Sequence, residues 1–153
     1  MTLNGWRRLA VGGAWLCTLV GVATLSLLPE TNPAVGCVPP EWADLAHVPA
    51  YALLTMLTIL VAATRVRMSR GILVMILLLL SLFGGVIEIL QTFTGRTASV
   101  LDVAWNSAGV ALAAWSHRAW TTGRAADTEK PVAKSAPLPR LARVAARGRG
   151  ECK

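Results

Sequence analysis

The hydrophobic positions of this chain fall in long runs without alternation, divided by short polar or proline-rich breaks. Leu9 to Leu28 is twenty residues without a charge, about 30 Å as a helix at roughly 1.5 Å per residue, which matches the hydrocarbon thickness of a bilayer. Within it Gly13, Cys17 and Gly21 recur every fourth residue, a small-residue stripe along which another helix can approach. A secretory signal peptide is the alternative reading, since Arg7 and Arg8 precede the run, but signal cores are shorter, roughly 7 to 15 residues, and no clean small-residue cleavage site follows. Pro29, Pro33, Pro39 and Pro40, with Gly36 between them, then break any helix.

A second run begins near Ala43 and spans about 46–64, with Pro49 close to its start, where a missing N–H costs least. Arg65, Arg67 and Arg70 close it. The third, 71–92, includes four consecutive leucines, Leu77 to Leu80, and is apolar on every face. The fourth, about 101–120, is interrupted by Asp102, Asn106, Ser107, Ser116, His117 and Arg118. It spans only if neighbouring helices cover its polar end. The pattern therefore predicts an all-α, integral membrane four-helix bundle over 9–120, preceded by a short cytoplasmic segment, 1–8. From Thr121 onward the chain turns to Ala, Pro, Arg and Lys without an aromatic residue, and 121–153 is expected to be a disordered basic tail, with at most a short surface helix over Leu138 to Ala146.

Composition supports the membrane reading, because 54% hydrophobic against 15% charged residues excludes an ordinary water-soluble enzyme. Three cysteines, Cys17, Cys37 and Cys152, form no metal or disulfide spacing, and no cofactor is indicated. The net charge of +7 raises nucleic acid as a partner until its distribution is considered. With four spans, fourteen of the fifteen basic residues share one side with both termini and only Arg96 lies on the other. The positive-inside rule then places both termini in the cytoplasm and leaves no nucleic-acid reading. The tail should attract anionic inner-leaflet lipids, at roughly 1 kcal/mol per basic residue near the surface. Trp6, Trp42, Trp105, Trp115 and Trp120 fall near helix ends as an interfacial belt expects, whereas Trp15 lies deeper and outside that pattern.

The polar residues of the spans gather toward the outer ends. Asp44, His47 and Tyr51 share one helical face, as do Glu88 and Gln91. Arg96 and Ser99 stand in the next loop, followed by Asp102 and Asn106 with Gly109 on the same face. A carboxylate in a span costs roughly 2.5 to 3.5 kcal/mol at mid-depth and persists when paired or useful, so Glu88 requires a partner: Arg96 through a salt bridge, or Gln91, His47 or Asn106 through a hydrogen bond. Ser99-x-x-Asp102 also fits a capping box, in which Asp102 caps the fourth helix; that role is compatible with a site. Chemically, Glu88 or Asp102 with His47 offers a general acid and base as catalytic candidates. Arg96 offers planar recognition of a phosphate or carboxylate, with Asp44, Tyr51, Gln91, Ser99 and Asn106 to bind and orient. A metal at Asp44, His47, Glu88 and Asp102 fits in ligand type only, and none is expected.

At these residues the sequence resembles the VanZ-like family of small bacterial membrane proteins. The matching stretches are LSLLP (Leu25 to Pro29), DLAHVPAYALL (Asp44 to Leu54) and GVIEILQTFTGRTASVLDVAWNSAGVALA (Gly85 to Ala113). The resemblance covers about residues 9 to 120, and its third stretch carries six polar types in the family's order. Leu45 departs from it, standing where the family often has lysine. The resemblance implies a bacterial cytoplasmic-membrane protein connected with glycopeptide (teicoplanin) resistance, whose antibiotic acts on lipid-linked precursors outside that membrane. Two functions remain open. One is an outer pocket that binds or modifies an anionic envelope lipid or lipid-linked precursor. The other is a non-enzymatic scaffold whose polar groups are interhelical glue. A proton-coupled carrier fits less well, because the inner halves of the helices hold no polar relay.

Overall fold

The computed structural model describes residues 5–29, 31–33 and 39–128. Among them are four α-helices: α1, Gly5–Leu27; α2, Pro40–Ala63; α3, Arg70–Gln91; and α4, Val100–Thr128. Three are long and apolar enough to cross a membrane, namely α1, the Trp42–Ala63 part of α2, and α3. The fourth does not meet that standard by composition, for the reason visible in its sequence. The basic tail from residue 129 and Cys37 lie outside the described residues.

Local chemistry sets several boundaries. Pro39 precedes α2 in an extended conformation and Pro40 occupies its first turn, where no N–H is needed. The helix thus begins some six residues before the expected span, so Pro49 lies well inside it rather than near its start. Its ring removes the donor that the Leu45 carbonyl would otherwise receive. Ser69 caps α3, its Oγ accepting from the Ile72 N–H at 3.2 Å. After α3, Gly95 takes φ +79° and the Arg96 N–H returns to the Gln91 carbonyl at 3.2 Å, closing the helix end with the left-handed residue that glycine supplies.

The expected start of a disordered tail at Thr121 is corrected, since α4 runs on to Thr128. Arg124, Ala125 and Ala126 are strong helix formers within that extension, and a lack of apolar residues there removes a core without removing the helix. The described residues up to Ala119 form one compact unit, and those from Trp120 to Thr128 belong to a second. In the described part of the second, the Arg124 guanidinium lies 4.6 Å from the centre of the Trp120 ring.

Inside the first unit each helix contributes one stripe. In α3 the buried residues are Ile76, Leu80, Gly84, Ile87, Glu88 and Gln91, and in α4 they are Asp102, Asn106, Gly109, Val110 and Ala113. Both stripes follow the three-and-four spacing of a single helical face. Tyr51, Leu54, Thr55 and Ile59 do the same in α2 and are fully buried. Tyr51, Leu54, Ile59, Ile76, Leu80 and Val110 form the apolar core, and Trp15, Leu19 and Val22 of α1 pack on it. Trp15 is accounted for by this packing: its Nε1–H donates to Thr58 Oγ1 at 3.0 Å, joining α1 to α2. The faces turned away, including Leu16, Val20, Leu78, Leu79 and Leu82, are exposed, an apolar surface on three helices that water would not tolerate and lipid would.

Gly109 brings α4 into close contact with the backbone of α2. A Cβ there would collide with the Val48 carbonyl oxygen and come within 3.0 Å of Tyr51 Cβ and 3.1 Å of the Ala52 nitrogen. The Gly13 and Gly21 stripe, by contrast, has nothing within 4 Å of either added Cβ, so the close approach expected there is not used within the described chain. Gly109→Ala should therefore lower stability by about 1–3 kcal/mol through overpacking against backbone. Gly13→Ala should leave it unchanged or raise it by up to about 1 kcal/mol. Thermal unfolding of both variants in detergent micelles measures the contrast, and equal melting of the two would refute the packing role of Gly109.

Candidate functional site

Glu88 stands on the stripe of α3 one turn before the helix ends and is 5% exposed. Its Oε1 accepts the main-chain N–H of Ser99, the residue immediately before α4. The expected partners, Arg96, Gln91, His47 and Asn106, are thus replaced by a backbone donor. The positive end of the α4 dipole adds to this, because unsatisfied N–H groups at a helix start favour negative charge.

The capping box takes a different form from the one the spacing suggests. Ser99 Oγ accepts from the Leu101 N–H at 3.1 Å, so Ser99 does cap the helix. The returning half of the box, which Asp102 would supply from within α4, is taken by Glu88 from α3. Asp102 is released from that duty and its Oδ1 is buried without a hydrogen-bond partner.

Asn106, one turn further along α4, is 1% exposed and lies 2.9 Å from His47 Nδ1 through its Oδ1. An amide oxygen only accepts, so this contact calls for the His47 tautomer with its proton on Nδ1, which leaves Nε2 as the basic nitrogen of the ring. Asn106 Nδ2 and the Tyr51 hydroxyl are both buried and unpartnered. Both residues pack against Gly84, where an added Cβ would stand 3.1 Å from Asn106 Nδ2 and 3.2 Å from Tyr51 Cε1. Tyr51 is further held between His47 and Phe83, with ring centres 6.4 Å and 6.3 Å away.

The remaining residues separate into two groups. Asp44 is half-buried near the start of α2 and close enough to Asp102 to act on it electrostatically, as are His47 and Arg96. Gln91 and Arg96 turn toward α1. Gln91 Nε2 donates to the Ser26 carbonyl at 2.9 Å, and Arg96 Nη1 donates to the same oxygen at 3.2 Å and to the Leu25 carbonyl at 3.5 Å. Two of the last carbonyls of α1, those of Leu25 and Ser26, are satisfied by these two side chains. Gln91 Nε2 and Arg96 Nη1 thus fasten α1. Of the expected set, Tyr51, Glu88, Asp102, Asn106 and His47 are brought together, with Ser99 and Asp44 at the edge.

Sequence reasoning did not single out Gly84 or the Ser26 carbonyl. The Gly84-Gly85 pair in an otherwise leucine-rich run is the available signal for the first; a main-chain acceptor leaves none. Among the described residues, no three His, Cys, Asp or Glu side chains are placed to hold a metal ion. No protein-family model, curated protein or solved structure matches the chain.

These contacts separate stability from site chemistry. Gln91→Leu should cost about 0.5–1.5 kcal/mol by losing its bond to the Ser26 carbonyl, which keeps Arg96 as a donor. Tyr51→Phe removes a hydroxyl without a partner and should keep or slightly raise the melting temperature. Melting of both in detergent is the check; a Tyr51→Phe protein as unstable as Gln91→Leu would show that the hydroxyl is already satisfied.

Proposed function

We propose that the chain is a VanZ-like protein of the bacterial cytoplasmic membrane. All four helices span, both termini are cytoplasmic, and a polar pocket at the outer end binds or modifies an anionic envelope lipid or lipid-linked precursor. The observation that carries this reading is the group of buried atoms without partners, Tyr51 Oη, Asp102 Oδ1 and Asn106 Nδ2, beside the carboxyl of Glu88. Each such atom forfeits about 1–3 kcal/mol of desolvation unless something binds there.

Spanning by α4 is supported by the burial of two of the residues that interrupt its apolar run, Asp102 at 8% and Asn106 at 1% exposed, and by the packing of Asn106 on Gly84 of α3 and of Gly109 on α2. The single basic residue of the outer side, Arg96, has five N–H donors. Those left beyond Leu25 and Ser26 would hold a phosphate, while His47 with Glu88 or Asp102 moves protons. A link to teicoplanin resistance follows from the resemblance in Leu25 to Pro29, Asp44 to Leu54 and Gly85 to Ala113.

The alternative, a scaffold whose polar residues only join helices, is favoured specifically by the tie from Gln91 and Arg96 to α1. The two readings differ in their response to conservative changes. Teicoplanin sensitivity and the envelope-lipid profile should shift in cells carrying Glu88→Gln or Tyr51→Phe at abundance matched to wild type, because packing is kept and only site chemistry changes. Unchanged sensitivity and lipids at matched abundance would favour the scaffold. For topology, Cys37 should react with a membrane-impermeant thiol reagent added to intact cells, and protection of Cys37 would overturn the orientation.

A further inference from the structure

The chemistry of the unpartnered atoms narrows what the pocket takes, and the narrowing rests on the lipid-site reading above. Tyr51, Asn106 and Asp102 are 0%, 1% and 8% exposed, so whatever meets Tyr51 Oη, Asn106 Nδ2 and Asp102 Oδ1 is withdrawn from water. Because Asn106 Oδ1 is held by His47 Nδ1 at 2.9 Å, its Nδ2 presents only donors to the interior. Asp102 as a carboxylate only accepts, and a phenol hydroxyl does either.

Three kinds of group can be compared with this arrangement. A phosphate oxygen would accept from Asn106 and Tyr51 but would lie among the carboxyls of Asp102 and Glu88, which act on one another electrostatically. An ammonium would suit both carboxyls and leave the Asn106 N–H groups without an acceptor. It would also carry a charge into a dry site, the costlier transfer. An alcohol hydroxyl donates once and accepts twice, so it satisfies Asp102 and Asn106 together, and it does so whether Asp102 is ionised or neutral. Gly84 lets Asn106 and Tyr51 pack closely against α3, since an added Cβ would stand 3.1 Å from Asn106 Nδ2 and 3.2 Å from Tyr51 Cε1. Arg96 stands half-buried at the margin, anchored on Leu25 and Ser26, in position for an anion that remains outside.

We infer that the buried end of the pocket takes an alcohol hydroxyl of a head group, a glycerol or a sugar, whose phosphate stays outside at Arg96. The recognised class is therefore a hydroxyl-bearing phosphodiester or sugar phosphate, and a bare phosphate monoester lipid is disfavoured.

The test uses the full chain in detergent, with lipid retention read by native mass spectrometry. The probes are phosphatidylglycerol, phosphatidic acid with the same acyl chains, a glycosyl-phosphoryl-polyprenol, and free glycerol phosphate as competitor. Phosphatidylglycerol should be retained roughly tenfold over phosphatidic acid, the value of one to two hydrogen bonds. Tyr51→Phe, which is expected to fold normally, should bring that ratio toward one by reducing phosphatidylglycerol alone. Stronger retention of the polyprenol would assign a lipid-linked sugar, stronger retention of phosphatidylglycerol a phospholipid head group, and displacement of both by glycerol phosphate a soluble polyol phosphate. All three outcomes preserve the hydroxyl. Equal retention of phosphatidylglycerol and phosphatidic acid, unaffected by Tyr51→Phe, overturns the inference while leaving a phosphate-lipid site in place. If none of the lipids is retained above phosphatidylcholine, both this inference and the lipid-site reading fail.

Discussion

A carboxyl buried between apolar helices must find a hydrogen-bond donor. Glu88 finds it in the N–H of Ser99, and this single bond has three effects. It anchors the first turn of α4 to the end of α3 and fixes the loop between them. It supplies the capping contact that the spacing within α4 offers to Asp102. It thereby leaves Asp102 buried with an unused oxygen, turning a helix cap into a chemically available group. In an apolar surround such a bond is stronger than in water, and losing it is correspondingly costly.

Glycine at two positions lets the polar faces meet. Gly109 lets α4 approach the backbone of α2 at Val48 and Ala52, and Gly84 lets Asn106 and Tyr51 pack closely against α3. With larger residues the helices would stand further apart, and His47 would not reach Asn106 at 2.9 Å. Association of helices in lipid gains little from the hydrophobic effect and relies on close packing and interhelical hydrogen bonds. The same contacts that hold α2, α3 and α4 together therefore also bring the site's groups into register. Helix α1 is joined differently, through Trp15 to Thr58 at one level and through Gln91 and Arg96 to its terminal carbonyls at another.

Much of this arrangement was legible in the sequence because it follows from helical periodicity. The existence of four helices, the shared faces of Asp44, His47 and Tyr51 and of Asp102, Asn106 and Gly109, and the gathering of the polar groups toward one level come directly from spacing and connectivity. Partner identity is less legible. A sequence displays side chains and so offers side-chain partners for Glu88, whereas its donor is a backbone N–H. The main-chain carbonyls of Leu25 and Ser26, which take Gln91 Nε2 and Arg96 Nη1, lie far away in sequence and leave no signal there. Pro49 lies close to the start of the apolar run, but Pro40 begins α2 earlier than hydrophobicity indicates. Composition places the end of α4 too early because it measures the capacity to form a core, and a helix can outrun its core.

The distribution of polar groups is the reverse of that in a water-soluble bundle. Leucines such as Leu78, Leu79 and Leu82 face outward, while Glu88, Gln91, Asp102 and Asn106 face inward. In a soluble protein, replacing the buried polar set by aliphatic residues would commonly raise stability. Here Glu88 is engaged by Ser99, and Gln91 is engaged with Ser26. Tyr51, Asp102 and Asn106 keep atoms with no partner in the same apolar surround. Packing alone explains the first two, since each of their bonds joins two elements. It does not explain the other three, because a phenylalanine at 51 would fill the same space without the desolvation cost of a hydroxyl. The unsatisfied atoms are thus a liability for folding that a ligand hydroxyl or water would offset. They occur where the helices have already been drawn together by other means, at Gly84 and Gly109, so the bundle tolerates them without relying on them.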